Sequence, residues 1–299
     1  MLTFGGSELD RASALREDRD WVAARLVDGA SRSVAAGSDG VLLADASPPH
    51  LLRARLTDCA GVEPQSAILL GLERGGAIFA RDLDDLDPPA RARVSEGGRI
   101  TSLREAGALL APSEGGLAAY LAALLHWHRS HRFCAHCGAP TVIELAGASR
   151  RCTRYGTQHF PRTDPAVIVV VENADRLLLG RRPGWPRNQY SVLAGFVAPG
   201  ESLAEAAARE VHEESGIVIR DPVFVASQPW PFPASLMLGL EARSDGGDPV
   251  AKDDELEDVR WFARETVGAA LVGGSATLVL PPAISIARFL IERWWRAAD

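Results

Sequence analysis

The residues best suited to chemistry are three glutamates, Glu210, Glu213 and Glu214, spaced i, i+3 and i+4. A helix with about 3.6 residues per turn places all three on one side. Like charges so close together destabilise an isolated helix, whereas a bound hard cation reverses that effect. Mg²⁺ and Mn²⁺ prefer oxygen ligands and bridge carboxylates to substrate phosphates. The spacing therefore indicates a divalent-metal site, with a solvated acidic helix face as the alternative.

The ends of the helix that carries these glutamates are also marked. Ser202 followed by Glu205 forms a capping box, which predicts that the helix begins after Ser202. Gly216 occupies the position of a C-terminal glycine, where helices end in the left-handed conformation. We therefore predict a helix over residues 203–215.

Residues 195–217 read GFVAPGESLAEAAAREVHEESGI and resemble the Nudix box at each of its specified positions. The resemblance implies a loop–helix–loop that binds divalent metal and hydrolyses a nucleoside diphosphate linked to another group. The catalytic candidates that it implies are Glu201, Arg209, Glu210, Glu213 and Glu214.

The resemblance also implies a role for each of these side chains. Glu210 and Glu214 hold metal, and Glu213 is a further ligand or a base. Arg209 and Glu201 form an oppositely charged pair that orients the carboxylates. Two further metal ligands are implied by position in the family: the backbone carbonyl of Ala194 and the carboxylate of Glu255.

A second segment, residues 227–235, indicates the substrate class. It reads SQPWPFPAS, and its three prolines stiffen the chain. Aromatic rings offer flat faces to a base, while hydroxyl and amide groups offer hydrogen bonds. The segment resembles the SQPWPFPxS array of the NADH pyrophosphatase branch of the Nudix superfamily, and the resemblance extends over about residues 100–299. A proline-rich loop that packs its aromatics into the core is the alternative.

The candidates for substrate binding come from this segment and from other positions that match the branch. Phe160 and Phe196 would stack on the base, whereas Arg104 and Ala287 would contact substrate. The segment itself contributes Ser227, Gln228, Trp230, Phe232 and Ser235.

A cysteine cluster precedes the Nudix segment. Cys134-x-x-Cys137-Gly has the form of a zinc knuckle, and Cys152 begins a second such turn. The family carries a fourth cysteine where this chain has Tyr155, and tyrosine is a poor zinc ligand. Two alternatives stay open: a structural zinc completed by a histidine, or a metal-free hairpin. The histidines considered are His131, His136 and His159.

Together these resemblances imply hydrolysis of the pyrophosphate of NADH, NAD⁺ or a 5′ NAD cap on RNA, with Mg²⁺ or Mn²⁺. The products are reduced nicotinamide mononucleotide (or its oxidised form) and AMP. A homodimer is implied by the family alone. The alternatives are a Nudix hydrolase of ADP-ribose or dinucleoside polyphosphates, a non-catalytic dinucleotide sensor, and a nucleic-acid-binding zinc module.

The elements that must position these residues alternate between strands and helices, which predicts an α+β protein. We expect an N-terminal mixed α/β domain over residues 1–126, a zinc-knuckle-like connector over 127–160, and a catalytic domain over 161–299. The last domain is expected to have the α/β/α sandwich of the Nudix fold. Its predicted elements include strands near 166–171 and 236–240 and a terminal helix over 281–296.

The overall composition excludes some classes of protein. The formal net charge is −7, whereas proteins that grip a phosphate backbone usually carry a basic surplus. No run reaches the roughly 18 apolar residues of a membrane helix. The first residues lack the basic and apolar regions of a secretory signal, which favours a cytoplasmic enzyme.

Overall fold

The computed structural model describes residues 2–56, 63–252 and 255–297, and the chain forms two compact units. The first comprises Thr3–Thr163 and Trp230–Ala234; the second comprises Leu2, Asp164–Pro229 and Ser235–Asp299. The predicted N-terminal domain and connector thus fold into one unit. No helix within the described ranges is long and apolar enough to cross a membrane.

The first unit contains a six-stranded sheet with the order β4-β5-β1-β2-β6, and β3 pairs with β1. Its strands are β1 Arg32–Gly37, β2 Gly40–Ala44, β3 Ala54–Arg55, β4 Leu69–Glu73, β5 Gly76–Asp82 and β6 Gly98–Thr101. Its helices are α1 Arg19–Val27, α2 Pro88–Val94, α3 Leu103–Leu109 and α4 Pro112–Ser130.

Helix α4 covers this sheet. Its apolar residues, among them Leu117, Leu121 and Leu125, are almost fully buried against strands β1, β2 and β5. The helix begins at Pro112, and proline is favourable in a first turn, where its missing N–H costs nothing.

A three-stranded sheet follows α4 in the same unit, in the order β7-β8-β9. Its strands are β7 Thr141–Glu144, β8 Ser149–Cys152 and β9 Gln158–His159. The buried His128 of α4 ties it to the helix: Nε2 bonds the Gly147 carbonyl at 2.9 Å, and Nδ1 lies 3.0 Å from Arg150 Nη1. Burial lowers the pKa of His128 to about 4, so the ring is neutral and accepts from Arg150.

The second unit is built on a sheet with the order β13-β14-β10-β11-β15, and β12 pairs with β10. Its strands are β10 Asp164–Asn173, β11 Arg176–Arg181, β12 Leu193–Phe196, β13 Arg220–Trp230, β14 Ser235–Arg243 and β15 Asp258–Ala263. Its helices are α5 Leu203–Ser215, α6 Arg264–Leu271 and α7 Ile286–Arg296.

Helices cover both faces of this sheet, which confirms the predicted α/β/α sandwich. Strand β10 alternates: Ile168 and Val170 pack with α6 and α7, whereas Val167 and Val169 pack with α5. A strand buried on both faces reads as a continuous apolar run, as this one does.

Two boundaries differ from the sequence prediction. Helix α7 begins at Ile286 rather than at residue 281, because the Ser285 side chain caps it by accepting from the Arg288 N–H. Strand β13 extends to Trp230, so the segment predicted as one loop over 227–235 is a strand end followed by a four-residue turn.

Candidate active site

The glutamate helix forms as predicted. Helix α5 spans Leu203–Ser215, the capping box between Ser202 and Glu205 is present, and Gly216 has φ 73°. Along α5 the three glutamates differ in exposure. The side chain of Glu213 is 55% exposed, that of Glu210 15%, and that of Glu214 only 4%. Only Glu213 therefore faces mainly into solvent.

Arg209 binds most of the acidic cluster. It holds Glu201 through two hydrogen bonds, from Nε at 2.6 Å and from Nη2 at 2.8 Å. Its Nη1 donates to Glu210 at 2.8 Å and to Glu213 at 3.0 Å, and Nη2 also donates to the Phe196 carbonyl. The oppositely charged pair predicted from the sequence is thus present, and it bonds two of the three helical glutamates.

This arrangement keeps the Glu201 carboxylate ionised. Hydrogen bonds from Arg209, together with one from the Ala198 N–H at 2.9 Å, lower the pKa of Glu201 to about 2. The hydrogen bonds of Arg209 to Glu201 and Glu210 raise the pKa of Arg209 above its ordinary value. The bracing pair is therefore charged over the whole physiological pH range.

The carboxylate of Glu210 lies directly against the backbone of Gly195. A Cβ at Gly195 would stand 1.9 Å from the Glu210 carboxyl carbon and 2.0 Å from one of its oxygens. Only a residue without a side chain permits this approach. Gly195, the first glycine of the box, is therefore needed because a side chain would have no room there. It is not needed for a left-handed backbone, since its φ lies outside that region.

A cavity of about 550 Å³ opens beside these residues, in the size range of small-molecule sites. It brings together six of the predicted site residues, which come from β12, α5, β14 and the segment before β15: Ala194, Phe196, Glu210, Glu214, Ser235 and Glu255. The ring of Phe196 is 61% exposed.

Arg182, at the same cavity, was not identified from the sequence. Its Nη2 lies 3.1 Å from Glu255 and 3.9 Å from Glu214. Arg182 follows strand β11 directly, and the antiparallel pairing of β11 with β15 brings it to the acidic segment before β15. No local pattern marks it, because its partners lie tens of residues away in the chain.

The donor set at the cavity fits a hard cation. Glu210, Glu214 and Glu255 offer carboxylates and Ala194 offers a carbonyl, and these oxygen ligands suit Mg²⁺ or Mn²⁺. In the described residues, however, no three of these carboxylates bring their oxygens within 4.8 Å of one another. Arg209 and Arg182 neutralise part of the negative charge.

Two of the predicted substrate residues are buried in the second unit. Gln228 is fully buried: its amide donates to the Ile284 carbonyl at 2.7 Å, and its oxygen accepts from the Ile286 N–H at 2.7 Å. In this arrangement the amide secures the start of α7. Ala287 belongs to α7 itself; it is 5% exposed and its side chain packs in the core. Ser227 is exposed.

The aromatic residues at the end of β13 and in the turn that follows belong to the first unit. Trp230 and Phe232 lie edge to face with ring centroids 5.0 Å apart, and Phe4 lies about 6 Å from both. The Arg104 guanidinium carbon is 4.3 Å from the Phe232 ring centroid and 5.5 Å from that of Trp230. The predicted Arg104 and the aromatic pair are thus together, and Phe4 was not expected.

Phe160, the other predicted stacking residue, belongs to the first unit and is 59% exposed. It lines a separate cavity of about 490 Å³, together with Arg16, Arg19 and Arg151.

The predicted cysteine cluster also forms. The sulfur atoms of Cys134, Cys137 and Cys152 all lie within 4.8 Å of one another, and two of them, in Cys137 and Cys152, are 3.5 Å apart. Hydrogen bonds from the backbone N–H groups of Tyr155 and Arg154 lower the pKa of Cys152 to about 7. Three thiols in such proximity suit a thiophilic metal such as zinc.

Comparison with known families places each part of the chain. Residues 26–127 match the NADH pyrophosphatase-like rudimentary NUDIX domain, residues 129–160 the NADH pyrophosphatase zinc ribbon domain, and residues 162–278 the NUDIX domain. The fold and the carboxylate helix thus define an enzyme of the Nudix hydrolase class.

Similarity to whole proteins is more specific. The chain is 38% identical to the NAD-capped RNA hydrolase NudC of Mycobacterium bovis (strain BCG / Pasteur 1173P2), covering 95% of this chain and 92% of that protein. It is 41% identical to the protein of the same name from Stutzerimonas stutzeri (strain A1501), over 75% of each. The chain therefore belongs to the NADH pyrophosphatase family of Nudix hydrolases.

Among solved structures, a NUDIX hydrolase from Nitrosomonas europaea is similar to this chain. The TM-score is 0.46 at 20% identity, covering 56% of this chain and 92% of that chain.

Proposed function

We propose that the enzyme hydrolyses the pyrophosphate bond of NADH and NAD⁺, and the same bond in RNA that carries a 5′ NAD cap. The products are reduced or oxidised nicotinamide mononucleotide and AMP, or RNA that begins with AMP. The observation that carries the proposal is the cavity where Glu210 and Glu214 meet the exposed ring of Phe196. Carboxylates for metal and a flat face for a base are what a dinucleotide requires.

Mg²⁺ or Mn²⁺ would be held by Glu210, Glu214 and Glu255 with the Ala194 carbonyl, and Glu213 is a further ligand or base. When bound, the metal neutralises phosphate charge and lowers the pKa of attacking water. Since the carboxylates are widely spaced, we expect waters and substrate phosphates to complete the coordination, as Mg²⁺ prefers.

The remaining residues of the cluster position these groups. Arg209 fixes the carboxylate of Glu210 through Nη1, while its paired bonds to Glu201 hold the guanidinium in one orientation. A bidentate pair of this kind is geometrically specific, which suits a positioning role. Arg182 occupies the space between Glu255 and Glu214, where a cation would replace it.

The base of the substrate would stack on Phe196, and Ser235 in the same cavity offers a hydroxyl for hydrogen bonding. The other predicted substrate contacts stay predictions: Phe160, Ser227, Gln228, Trp230, Phe232, Ala287 and Arg104. The homodimer implied by the family and the predicted cytoplasmic location also stay predictions.

The test is product analysis with metal-loaded protein. We would incubate the full chain with Mg²⁺ or Mn²⁺ and NADH, NAD⁺, NAD-capped RNA, ADP-ribose or a diadenosine polyphosphate, and separate the products by chromatography. Glu214→Gln is the site variant, and Glu265→Gln, an exposed glutamate in the first turn of α6, is the matched control. We expect cleavage that is fastest for NADH or the NAD cap, abolished by EDTA and by Glu214→Gln, and unchanged in Glu265→Gln.

Two outcomes would contradict the proposal. Faster cleavage of ADP-ribose or the diadenosine polyphosphate would assign a different Nudix substrate. Binding of NADH without cleavage of any substrate by metal-loaded protein would favour a non-catalytic sensor.

A further inference from the structure

The two cysteine turns of the first unit have the same backbone structure. In each turn the carbonyl of the first cysteine, Cys134 or Cys152, accepts from the glycine N–H four residues later, at 2.9 Å and 3.0 Å. The N–H of each cysteine donates to the carbonyl five residues later, at 2.8 Å and 2.9 Å. The glycines, Gly138 and Gly156, have φ 71° and 70°. The turns are therefore equivalent, residue by residue.

This equivalence places Tyr155 where the first turn has Cys137. The three sulfur atoms lie within 4.8 Å of one another, and a tetrahedral zinc with Zn–S bonds of about 2.3 Å needs separations of about 3.8 Å. Three corners of such a site are thus present. The Tyr155 ring is 61% exposed, and the Arg154 guanidinium lies 5.2 Å from its centroid. The residue at the fourth corner is therefore at the surface.

The nearby histidines do not replace the missing cysteine. No histidine nitrogen among the described residues joins the sulfur group within 4.8 Å, so the substitution by histidine that we considered from the sequence does not occur in this structure. His131 Nδ1 instead lies 2.9 Å from Ser130 Oγ and 3.1 Å from the Trp127 carbonyl. Cys59 belongs to residues 57–62, outside the described ranges.

We propose that this cysteine group holds zinc through three thiolates and leaves the fourth coordination position to a small ligand from solution. Water, hydroxide, an imidazole or a thiol has the required chemistry. Zinc is four-coordinate in structural sites, and an open position is otherwise a feature of catalytic ones. With three thiolates on one dication the site carries one net negative charge, which favours a neutral donor.

Cobalt substitution tests this in the full-length, reduced protein. Cobalt reports on its ligands through thiolate-to-metal charge-transfer bands and through visible bands that depend on coordination. Excess Mg²⁺ occupies the glutamate site, and a phosphine reductant avoids added thiols. We expect Tyr155→Cys to raise the charge-transfer intensity per cobalt by about one third, as three thiolates become four. Added imidazole should shift the visible bands of the wild type and leave those of Tyr155→Cys unchanged.

Two variants exclude other sources of the fourth ligand. Tyr155→Phe should keep the wild-type spectrum; a changed spectrum means that the phenol is a ligand and overturns the proposal. Cys59→Ser should also keep it; a loss of charge-transfer intensity means that Cys59 completes the site. If Tyr155→Cys does not fold, the wild-type protein alone tests the proposal. Failure to bind one cobalt per chain, or visible bands that do not respond to imidazole, would overturn the proposal of an open coordination position.

Discussion

The substitution Gly195→Ala adds one methyl group where the Glu210 carboxylate lies. The new Cβ would stand 1.9 Å from the carboxyl carbon, whereas ordinary contact begins at 3.4 Å. The carboxylate must therefore move by about 1.5 Å. The clash is with the far end of a flexible side chain, so we expect the strand pairing of Gly195 with Val167 to persist.

The expected cost falls on activity rather than on folding. Moving a catalytic group by about 1 Å costs on the order of 100-fold in rate. We therefore expect kcat/KM for NADH to fall by at least about 100-fold, roughly 2.7 kcal/mol of transition-state stabilisation. The melting temperature should fall by only a few degrees, because Glu210 loses its bond to Arg209 while Arg209 keeps Glu201.

The assay is steady-state kinetics with NADH and Mg²⁺, alongside thermal unfolding. Gly29→Ala is the matched control, since a Cβ there meets nothing within 4 Å. The double variant Gly195→Ala/Glu210→Gln adds a stricter test. If Gly195 acts through Glu210, the double variant loses no more activity than Glu210→Gln alone. A folded Gly195→Ala enzyme with near wild-type kcat/KM would refute this reasoning, as would fully additive losses.

Three other predictions concern the two folded units. Burial lowers the pKa of His128 to about 4, below its ordinary 6.5. As pH falls, the unfolded chain therefore binds a proton on this histidine before the folded chain does. Stability that is present above pH 6.5 is thus lost as pH falls towards 4. Between pH 7 and 5 urea unfolding should show a loss of roughly 2 kcal/mol from this group; an equal pH dependence in His128→Gln would contradict it. Gln228→Leu should lower the free energy of unfolding by roughly 2–4 kcal/mol, because the backbone groups of residues 284 and 286 lose their side-chain partner; an unchanged urea midpoint would show that these bonds contribute little. Phe196→Ala should raise KM for NADH roughly tenfold through lost stacking, whereas Phe224→Ala, an exposed phenylalanine outside the cavity, should not; equal KM values for the two variants would exclude Phe196 as the stacking residue.

The helix of the Nudix box could be predicted to the residue. Its start depends on the hydrogen bonds between Ser202 and Glu205, and its end depends on Gly216, so all the determinants lie within a few residues of the helix. The shared side of the glutamates follows from helical spacing alone. The two-sided burial of β10 was likewise visible as an unbroken apolar run. These features are local, and local interactions are readable from a single sequence.

The roles of Gln228 and Ala287 needed the tertiary structure. Both match the family's substrate contacts, yet the structure buries both, Gln228 against the start of α7 and Ala287 on α7 itself. The partners of Gln228 lie 56 and 58 residues away, so no local pattern indicates that its amide is already bound. A motif identifies which residues are present, whereas burial decides which of them a ligand can reach.

The sequence by itself determined the chemistry: oxygen donors on one helix, three cysteines in two turns, and the class of hydrolase. Only the tertiary structure decided which groups meet. It places Arg182 beside Glu255, 73 residues further along the chain, through the pairing of β11 with β15. It also places the Glu210 carboxylate against Gly195 and leaves Tyr155 exposed at the surface. Such contacts depend on strand register and packing between distant segments, which no local spacing encodes.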